Sequence, residues 1–419
     1  MPAAARRILR LALVILIVGV LVGVMAGLVT LFFRGVESLA FGYFEDPSRP
    51  GAVAAPVWRR FAAVIVACCI AAVVWWLIRT RARAVPSVQK AVTGERMPWW
   101  ETIVHAGLQV FIVGAGAPVG REVAPRELGA LIGGGFSRLF RLDARERTLV
   151  VAAAAGAGLA GVYNVPLAGA LFTVEILLAE LSLEAIGVAL GASALSALVA
   201  SVVEGDHGFY AIHGADPSWS LAVFALVFGP LFGFLGYWFS HWTAWAEKKK
   251  PNGIAILWLL PAASVIVAVI GIWLPQIMGN GRALGQYAFN ATSWTALGVL
   301  VIGFAAKSVL TLATIRSGAA GGVLQPAISL GAAAGAALGI GWALLWPGSP
   351  VAAFAIVGGA ALLAASQKAP LMALAIVFEL THAPLEFLAP LGVAVAGAAL
   401  TRRLLEHRED RNAPRKLDI

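Results

Sequence analysis

Long apolar runs separated by short polar connections make up almost the whole chain. Uninterrupted runs long enough to cross the roughly 30 Å hydrocarbon layer of a membrane lie at residues 8–33, 58–78, 183–203, 218–240, 254–275 and 292–312. The other apolar stretches are shorter or broken by Gly and Pro, at residues 102–120, 121–137, 148–163, 164–180, 319–345, 351–366, 369–381 and 384–400. Irregular backbone at membrane depth is tolerated only where it is buried in protein or lines a cavity. The pattern predicts an all-α polytopic membrane protein, and it favours a transporter or channel over a receptor or anchor.

The composition agrees with a membrane protein and excludes several other classes. Of the 419 residues, 60% are apolar and only 13% are charged, whereas about a quarter of an average soluble domain is charged. Disordered chains, disulfide scaffolds and nucleic-acid-binding domains are thereby excluded, and the solvent of most of this chain is a lipid bilayer. The net charge of +9 comes from Lys and Arg clusters between apolar runs. Since such clusters stay in the cytoplasm and both termini carry them, we expect both termini to be cytoplasmic.

One short motif occurs twice in the chain. Gly120 to Ala130 and Gly322 to Ala332 share the pattern G-x8-G-A, with Leu before the second glycine, 202 residues apart. Repeated halves whose broken helices meet near the membrane midplane are a common transporter architecture. We expect an N-terminal membrane half, a polar connection, a C-terminal membrane half and a charged cytoplasmic tail, at residues 1–204, 205–217, 218–400 and 401–419.

Four segments combine Gly or Pro with the beginning of an apolar run, which is typical of a helix start. They are Val85-Pro86-Ser87, Gly120-Arg121-Glu122, Asn164-Val165-Pro166 and Gly321-Gly322-Val323-Leu324. A helix N-terminus offers unpaired N–H groups and about half a positive charge, so several termini that converge would bind an anion. The alternative is that Gly and Pro only permit tight helix packing. For these four segments we favour the anion site.

Five stretches, in order and with matching spacing, resemble the CLC family of chloride channels and halide/proton antiporters. Ala82 to Pro86 stands where the family has GSGIP, and Gly120 to Pro125 is similar to GREGP. Asn164 to Glu175 resembles NAPLAG followed by a glutamate. Lys307 to Ala332 is similar to K…SGxxGGxFxP…LGA, and Ala369 to Thr381 is similar to APL…ELT. The likeness covers roughly residues 8–400; each motif alone is weak, but together they are highly specific.

The resemblance implies a fold, an activity and an assembly. The fold would be of CLC type, with two inverted-topology halves and many broken or half-length helices. The activity would be transmembrane transport of a small inorganic anion, chloride or fluoride, gated by or coupled to protons, with no cofactor and no metal. The protein would be a homodimer in the bacterial inner (plasma) membrane, each subunit holding its own pathway.

Glu122 is the residue on which this interpretation mainly depends. An ionisable side chain in an apolar segment is costly and is a functional hypothesis by default. Above an anion site its carboxylate would compete with the anion and leave when protonated, which is the role of the family's gating glutamate. Alternatively, Glu122 pairs with Arg121 or Arg126 as buried structural charges. We favour the gating role, because the helix start itself stabilises a carboxylate.

The remaining site residues are the expected anion donors. They are Arg83, Gly120, Arg121, Val323 and Leu324. Arg83 stands where the family has a central serine and where its fluoride/proton antiporter branch has Met. It is either a direct, always-charged anion ligand or simply part of a cytoplasmic run of arginines, and the sequence leaves both alternatives open.

Three further departures from the family pattern bear on the mechanism. The proline after the gating glutamate is displaced by one place to Pro125, and Ile176 stands where the family has its intracellular proton-relay glutamate. The family's late tyrosine, whose hydroxyl meets the anion, has no obvious counterpart. These features point away from a standard chloride/proton exchanger. They leave open chloride or fluoride, and antiporter or passive chloride channel.

Two functions from other classes are weaker. An intramembrane hydrolase would need a nucleophile and a base, or paired acids, at membrane depth, but every Asp lies in a polar connection. An organic-anion transporter could use the same helix starts, although narrow glycine-lined starts favour a small ion. The histidines lack metal-ligand spacing. Glu175, Lys307 and Glu379 are expected to form buried pairs.

Overall fold

The structure is a computed structural model that describes residues 3–205, 208–212 and 216–412. Within these ranges the chain is helical and has no strand. The first eight helices are α1 (Ala3–Phe41), α2 (Val57–Arg81), α3 (Val88–Val92), α4 (Trp99–Gly114), α5 (Val123–Leu139), α6 (Ala144–Tyr163), α7 (Pro166–Phe172) and α8 (Leu183–Glu204). A π-helical segment, Thr173–Leu177, continues α7.

The following eight helices form the second half of the chain. They are α9 (Trp219–Lys248), α10 (Ile256–Trp273), α11 (Arg282–Phe289), α12 (Leu297–Arg316), α13 (Leu324–Leu345), α14 (Val351–Gln367), α15 (Pro370–Thr381) and α16 (Leu388–Asn412). Residues 206–207 and 213–215 of the predicted polar connection, and residues 413–419 of the predicted tail, lie outside the described residues.

Eight segments in the described part of the chain are long and apolar enough to cross a membrane. They are Ala5–Phe41, Val57–Arg81, Leu183–Glu204, Trp219–Lys248, Ile256–Trp273, Trp294–Arg316, Leu324–Leu345 and Leu385–Glu409. Six coincide with the uninterrupted runs of the sequence. The other two lie in stretches that the pattern presented as interrupted. In α13 the glycines do not break the helix, because Gly331 and Gly335 lie inside it against α14.

The two halves repeat the same helix packing. In the first half α5 packs on α6, where a Cβ atom on Gly129 would lie 2.1 Å from the carbonyl oxygen of Ala154. In the second half α13 packs on α14, where a Cβ atom on Gly331 would lie 2.3 Å from the carbonyl oxygen of Gly358. The repeated Gly-Ala motif therefore marks one close helix contact in each half, where only glycine fits.

Two reciprocal contacts join the halves. Gly120 and Gly322 exchange both backbone hydrogen bonds as an isolated antiparallel bridge, each with an N···O distance of 2.7 Å. Further along, Glu175 accepts hydrogen bonds from the backbone N–H groups of Leu371 and Met372 at the start of α15, at 3.1 and 2.8 Å. Glu379 does the same for Leu167 and Ala168 at the start of α7, at 2.9 and 2.8 Å.

These carboxylate contacts correct one expectation from the sequence. Glu175 and Glu379 were expected to form buried ion pairs, but each caps a helix of the other half instead. Pro166 and Pro370 begin α7 and α15, where a proline has no N–H to satisfy. The amides that follow are left for a carboxylate, which the helix dipole also favours. Lys307 likewise has no acidic partner among the described residues. Its Nζ donates to the carbonyl oxygens of Ile277 and Gly279.

Basic residues mark one end of the molecule. Asp143 begins α6 in a capping box with Glu146, and Arg7 and Arg10 at the start of α1 donate to the Glu146 carboxylate. In the connection after the π-helical segment, two hydrogen bonds from Arg145 hold the pKa of Glu180 at about 2. We call this end, which α1 and α6 start from, the basic end.

Candidate functional site

The starts of α5 and α13 meet at the centre of the molecule. The bridge between Gly120 and Gly322 holds the two chain segments side by side, and each turns into a helix within a few residues. Glu122 is the N-cap of α5 and Val323 is the N-cap of α13. The repeat in the sequence therefore brings two helix N-termini from different halves to one point.

The Glu122 carboxylate lies at the N-terminus of α13. Its Oε1 accepts a hydrogen bond from the backbone N–H of Leu324 at 2.6 Å, and the residue is completely buried. Its Oε2 is buried without a hydrogen-bond partner. A Cβ atom on Gly120 or Gly322 would lie 2.0 Å from one of the two carboxylate oxygens. The carboxylate thus occupies a pocket walled by two glycines, at the kind of helix start that binds small anions.

Neither arginine beside Glu122 pairs with its carboxylate. Among the described residues no Lys or Arg nitrogen lies within 4 Å of it. Arg126 Nε donates to the backbone carbonyl oxygen of Glu122 instead, at 2.8 Å. The structure therefore does not contain the buried ion pair that the sequence offered as the alternative for Glu122.

Arg121 is a buried guanidinium without an ion pair in the described part of the chain. It is 4% exposed, and its Cζ lies 4.0 Å from the ring centre of Phe33 and 5.3 Å from that of Tyr163. Within the described ranges, its Nε and Nη1 have no hydrogen-bond partner, and neither has the Tyr163 hydroxyl. Aromatic faces stabilise the cation only in part, so unsatisfied donors remain for an anion.

Arg121 and Tyr163 line a cavity of about 140 Å³ at the end of the molecule opposite the basic end. The other charged groups of its wall are largely engaged with one another. Arg34 lies 3.6 Å from the Glu204 carboxylate, and Arg282 lies 3.5 Å from that of Glu45. The arginine with free donors is the one that directly precedes Glu122. The cavity lies beside Arg121 and is large enough to hold a small anion.

Comparison with known proteins assigns this arrangement to a family. The sequence model described as voltage gated chloride channel matches residues 64–403, most of the chain. The chain belongs to this family. It is an integral membrane protein, and the resemblance to the CLC family drawn from the sequence motifs is confirmed.

The chain is similar to two bacterial relatives over nearly its full length. It is 29% identical over 413 residues to the voltage-gated ClC-type chloride channel ClcB of Salmonella typhi, covering 94% of this chain and 96% of that protein. It is 29% identical over 433 residues to the H(+)/Cl(-) exchange transporter ClcA of Vibrio parahaemolyticus, covering 93% of this chain and 87% of that protein.

Two solved structures confirm the CLC fold. A slow cyanobacterial Cl−/H+ antiporter aligns with a TM-score of 0.80 at 21% identity, covering 97% of this chain and 99% of the other. A CLC-type fluoride/proton antiporter aligns with a TM-score of 0.71 at 20% identity, covering 93% of this chain and 94% of the other. The predicted class, an all-α fold of two inverted halves with broken helices, is correct.

Of the four helix starts expected to bind an anion in this family member, two meet. The starts of α5 and α13 converge at Glu122. The start of α7, after Asn164-Val165-Pro166, is occupied by the Glu379 carboxylate, so the expectation of a free anion site there is wrong. At α3, the Ser87 side chain accepts a hydrogen bond from the N–H of Lys90.

Arg83 lies away from the Glu122 carboxylate in this CLC protein. Its Nε donates to the Glu101 carboxylate at 2.8 Å, and its side chain is 68% exposed. Glu101 is in the first turn of α4, so the pair lies on the segment that links α2 with α4. The Nη2 of Arg83 also donates to Glu101, at 3.3 Å.

Sequence reasoning missed polar groups that surround the site. Tyr163 and Tyr210 lie far before the place of the family's late tyrosine, and no motif marks them. The ring of Tyr163 nevertheless packs against Arg121. Gln325 Nε2 donates to the Tyr210 hydroxyl at 3.3 Å, next to Leu324. The signal that could have found Tyr163 is its position directly before the Asn164 motif.

Proposed function

We propose that this protein transports a small inorganic anion, chloride or fluoride, across a membrane, and that Glu122 couples the anion to protons. The observation that carries the proposal is the hydrogen bond between the Glu122 carboxylate and the Leu324 N–H. A carboxylate at this place stands in for an anion. The names of the relatives also indicate transport and not catalysis, since one is a chloride channel and the other a proton/chloride exchange transporter.

The coupling follows from the charge of the carboxylate. A charge-assisted hydrogen bond contributes about 2 kcal/mol, and the dipole of α13 favours the ionised form. When a proton binds to Glu122, the negative charge is lost and the side chain can leave the helix start. An anion then takes its place. When the proton is released to the other side, the carboxylate returns and displaces the anion.

The anion would be held mainly by backbone groups. We assign the N–H groups of Val323, Leu324 and Arg121 to the anion, because the Glu122 carboxylate already uses that of Leu324. The N–H of Gly120, which the sequence also suggested, is not available, because it donates to the carbonyl oxygen of Gly322. The unsatisfied Arg121 guanidinium would hold the anion on the side of the 140 Å³ cavity. Arg83 is proposed as an anion ligand of secondary importance, since its present partner is Glu101.

The cellular setting is proposed from the family and from the charge pattern. The protein would form a homodimer in a bacterial inner membrane, with the basic end and both termini in the cytoplasm. The cavity beside Arg121 would then open toward the outside. A passive chloride channel is the second candidate function, and the name of the Salmonella relative favours it.

The test is simultaneous recording of halide and pH with purified protein in liposomes. We expect a chloride or fluoride gradient to drive proton movement in the wild type. Glu122→Gln should abolish proton movement and leave halide flux independent of pH, because the amide cannot titrate. Glu95→Gln, an exposed acid 3.9 Å from Lys90, is the matched control and should behave as wild type.

The outcomes separate the candidates. Halide flux without proton movement in the wild type would favour the passive channel. Uptake of an organic acid without halide flux would contradict both. Unchanged pH dependence in Glu122→Gln would remove Glu122 from its proposed role.

A further inference from the structure

A second buried carboxylate lies on α5, further from its start. Glu127 is 6% exposed, and two side chains of α4 face its carboxylate oxygens. Gln109 Nε2 donates to its Oε2 at 2.9 Å, and His105 Nε2 lies 3.7 Å from its Oε1. Buried acids within membrane proteins are costly and mark proton or ion pathways. The anion site described above makes no use of this one.

Both side chains that face Glu127 are neutral donors. The indole Nε1 of Trp75 donates to His105 Nδ1 at 3.1 Å, and an indole N–H can only donate. His105 Nδ1 is therefore the acceptor, so the ring carries its proton on Nε2, which faces Glu127. The carboxylate is thus oriented by the hydrogen bond from Gln109 and faces a neutral N–H group of His105.

Glu127 does not form an ion pair with a described Lys or Arg. Among the residues that the structure describes, its only basic partner within 4 Å is His105. The cations within electrostatic reach of Glu127 and His105 are Arg126 on α5, Arg79 on α2 and Lys250 after α9. None of these three cations lies within 4 Å of the carboxylate, so none holds it in a bidentate contact.

Glu127 lies between Glu122 and the basic end. Five residues of helix advance about 7.5 Å along the axis, and α5 runs from the central site toward Arg138 in its last turn. The start of α4 lies at the basic end, because Arg147 at the start of α6 donates to the carbonyl oxygen of Gly94. Trp75 is close to the last turn of α2, since the guanidinium of Arg79 in that turn lies 5.6 Å from the Trp75 ring.

We propose that Glu127 is the inner proton-binding residue of this chain, and that His105 and Gln109 are its positioning residues. The proposal rests on the proposed function, since it supplies a proton route to Glu122. Glu127 takes a proton from water at the basic end and becomes a neutral acid. Its O–H bond then breaks, and the proton passes along intervening water molecules to the Glu122 carboxylate. An O–H bond forms there, which frees Glu122 from Leu324. Reversal of the two steps returns the proton.

The test compares proton and halide flux in the same liposomes. Glu127→Gln should lower proton flux by about 100-fold, the usual contribution of a positioned proton carrier, while halide flux stays within about threefold of wild type. Glu127→Asp keeps a titratable group and should restore part of the proton flux. A purely structural acid would not show this pattern, because its loss would lower both fluxes together.

A second variant and a control keep the test decisive. Gln109→Leu leaves the charge of Glu127 in place but removes its donor, so it should lower the ratio of proton to halide flux even if Glu127→Gln fails to fold. Glu146→Gln removes a buried carboxylate that binds Arg7 and Arg10 instead, and it should keep the wild-type ratio.

The two proposals fail in different ways. A wild type without halide flux would contradict the proposed function. A wild type that couples protons to halide, together with wild-type ratios in Glu127→Gln and Gln109→Leu, would overturn the role of Glu127 and leave the proposed function standing. Halide flux without proton flux in the wild type would overturn the coupling and the role of Glu127 together.

Discussion

The Glu122 carboxylate occupies its place at α13 because two neighbouring residues have no side chain. Gly120 and Gly322 form the bridge between the halves, and a methyl group on either would fall within the carboxylate. Glycine is not needed at these two positions for an unusual backbone conformation, since neither residue has a positive φ. Their importance is the space that they leave for one titratable group.

This space can be tested with a single methyl group. Gly322→Ala should displace the Glu122 carboxylate from the Leu324 N–H, because a Cβ atom would lie 2.0 Å from Oε1. We expect halide flux at high pH to rise and its pH dependence to weaken, as in a partly open gate. Gly135→Ala, where nothing lies within 4 Å of the new Cβ, is the control. Wild-type pH dependence in Gly322→Ala would argue against a carboxylate held in this pocket.

At the scale of helices, the contact between α7 and α15 resembles the central site, but its two carboxylates are fully bound to backbone N–H groups. Both places set a carboxylate of one half against the helix start of the other. At the contact between α7 and α15, Glu175 and Glu379 each accept two backbone hydrogen bonds. Among the described residues, no glycine has either carboxylate among its nearest atoms, unlike Gly120 and Gly322 at Glu122. We therefore infer a structural role for these two acids.

The structural role predicts a loss of stability without a loss of coupling. Glu175→Gln and Glu379→Gln should each destabilise the protein by about 1–2 kcal/mol, because the amide NH2 would face a backbone N–H donor. We expect similar decreases in the unfolding temperature in detergent for both variants, with proton-to-halide ratios unchanged. Glu95→Gln is again the exposed control. A change in the ratio rather than in the unfolding temperature would assign these acids to transport.

The sequence revealed the central site better than its surroundings. Gly120 and Gly322 were recognisable because a repeat of fixed spacing records the symmetry of the fold. The contacts of Glu127 with His105 and Gln109 were not, because they depend on how α4 packs against α5, and no spacing rule encodes that. The interval from the helix-starting proline to the glutamate is the same in both halves, Pro166 to Glu175 and Pro370 to Glu379. This equal spacing suggests equivalent roles for the two acids, but it does not show that each caps the helix of the other half.

At the scale of the whole molecule, one chain is sufficient to build the site. Gly120, Glu122 and Arg121 come from the first half and Gly322 and Leu324 from the second, and the hydrogen bonds among them close within a single chain. If the protein is a homodimer as proposed, assembly would add a second pathway rather than complete the first.

Mixed dimers would test this independence. A dimer of one wild-type and one Glu122→Gln subunit, purified through two different affinity tags, should show half of the initial proton flux of the wild-type dimer. Its initial halide flux should equal the mean of the two homodimers, because each subunit carries its own carboxylate and its own helix start. Doubly tagged wild-type dimers control for the effect of the tags. Proton flux near zero or near the full wild-type value would mean that the subunits act together, and a chain that yields no doubly tagged species would contradict the dimer itself.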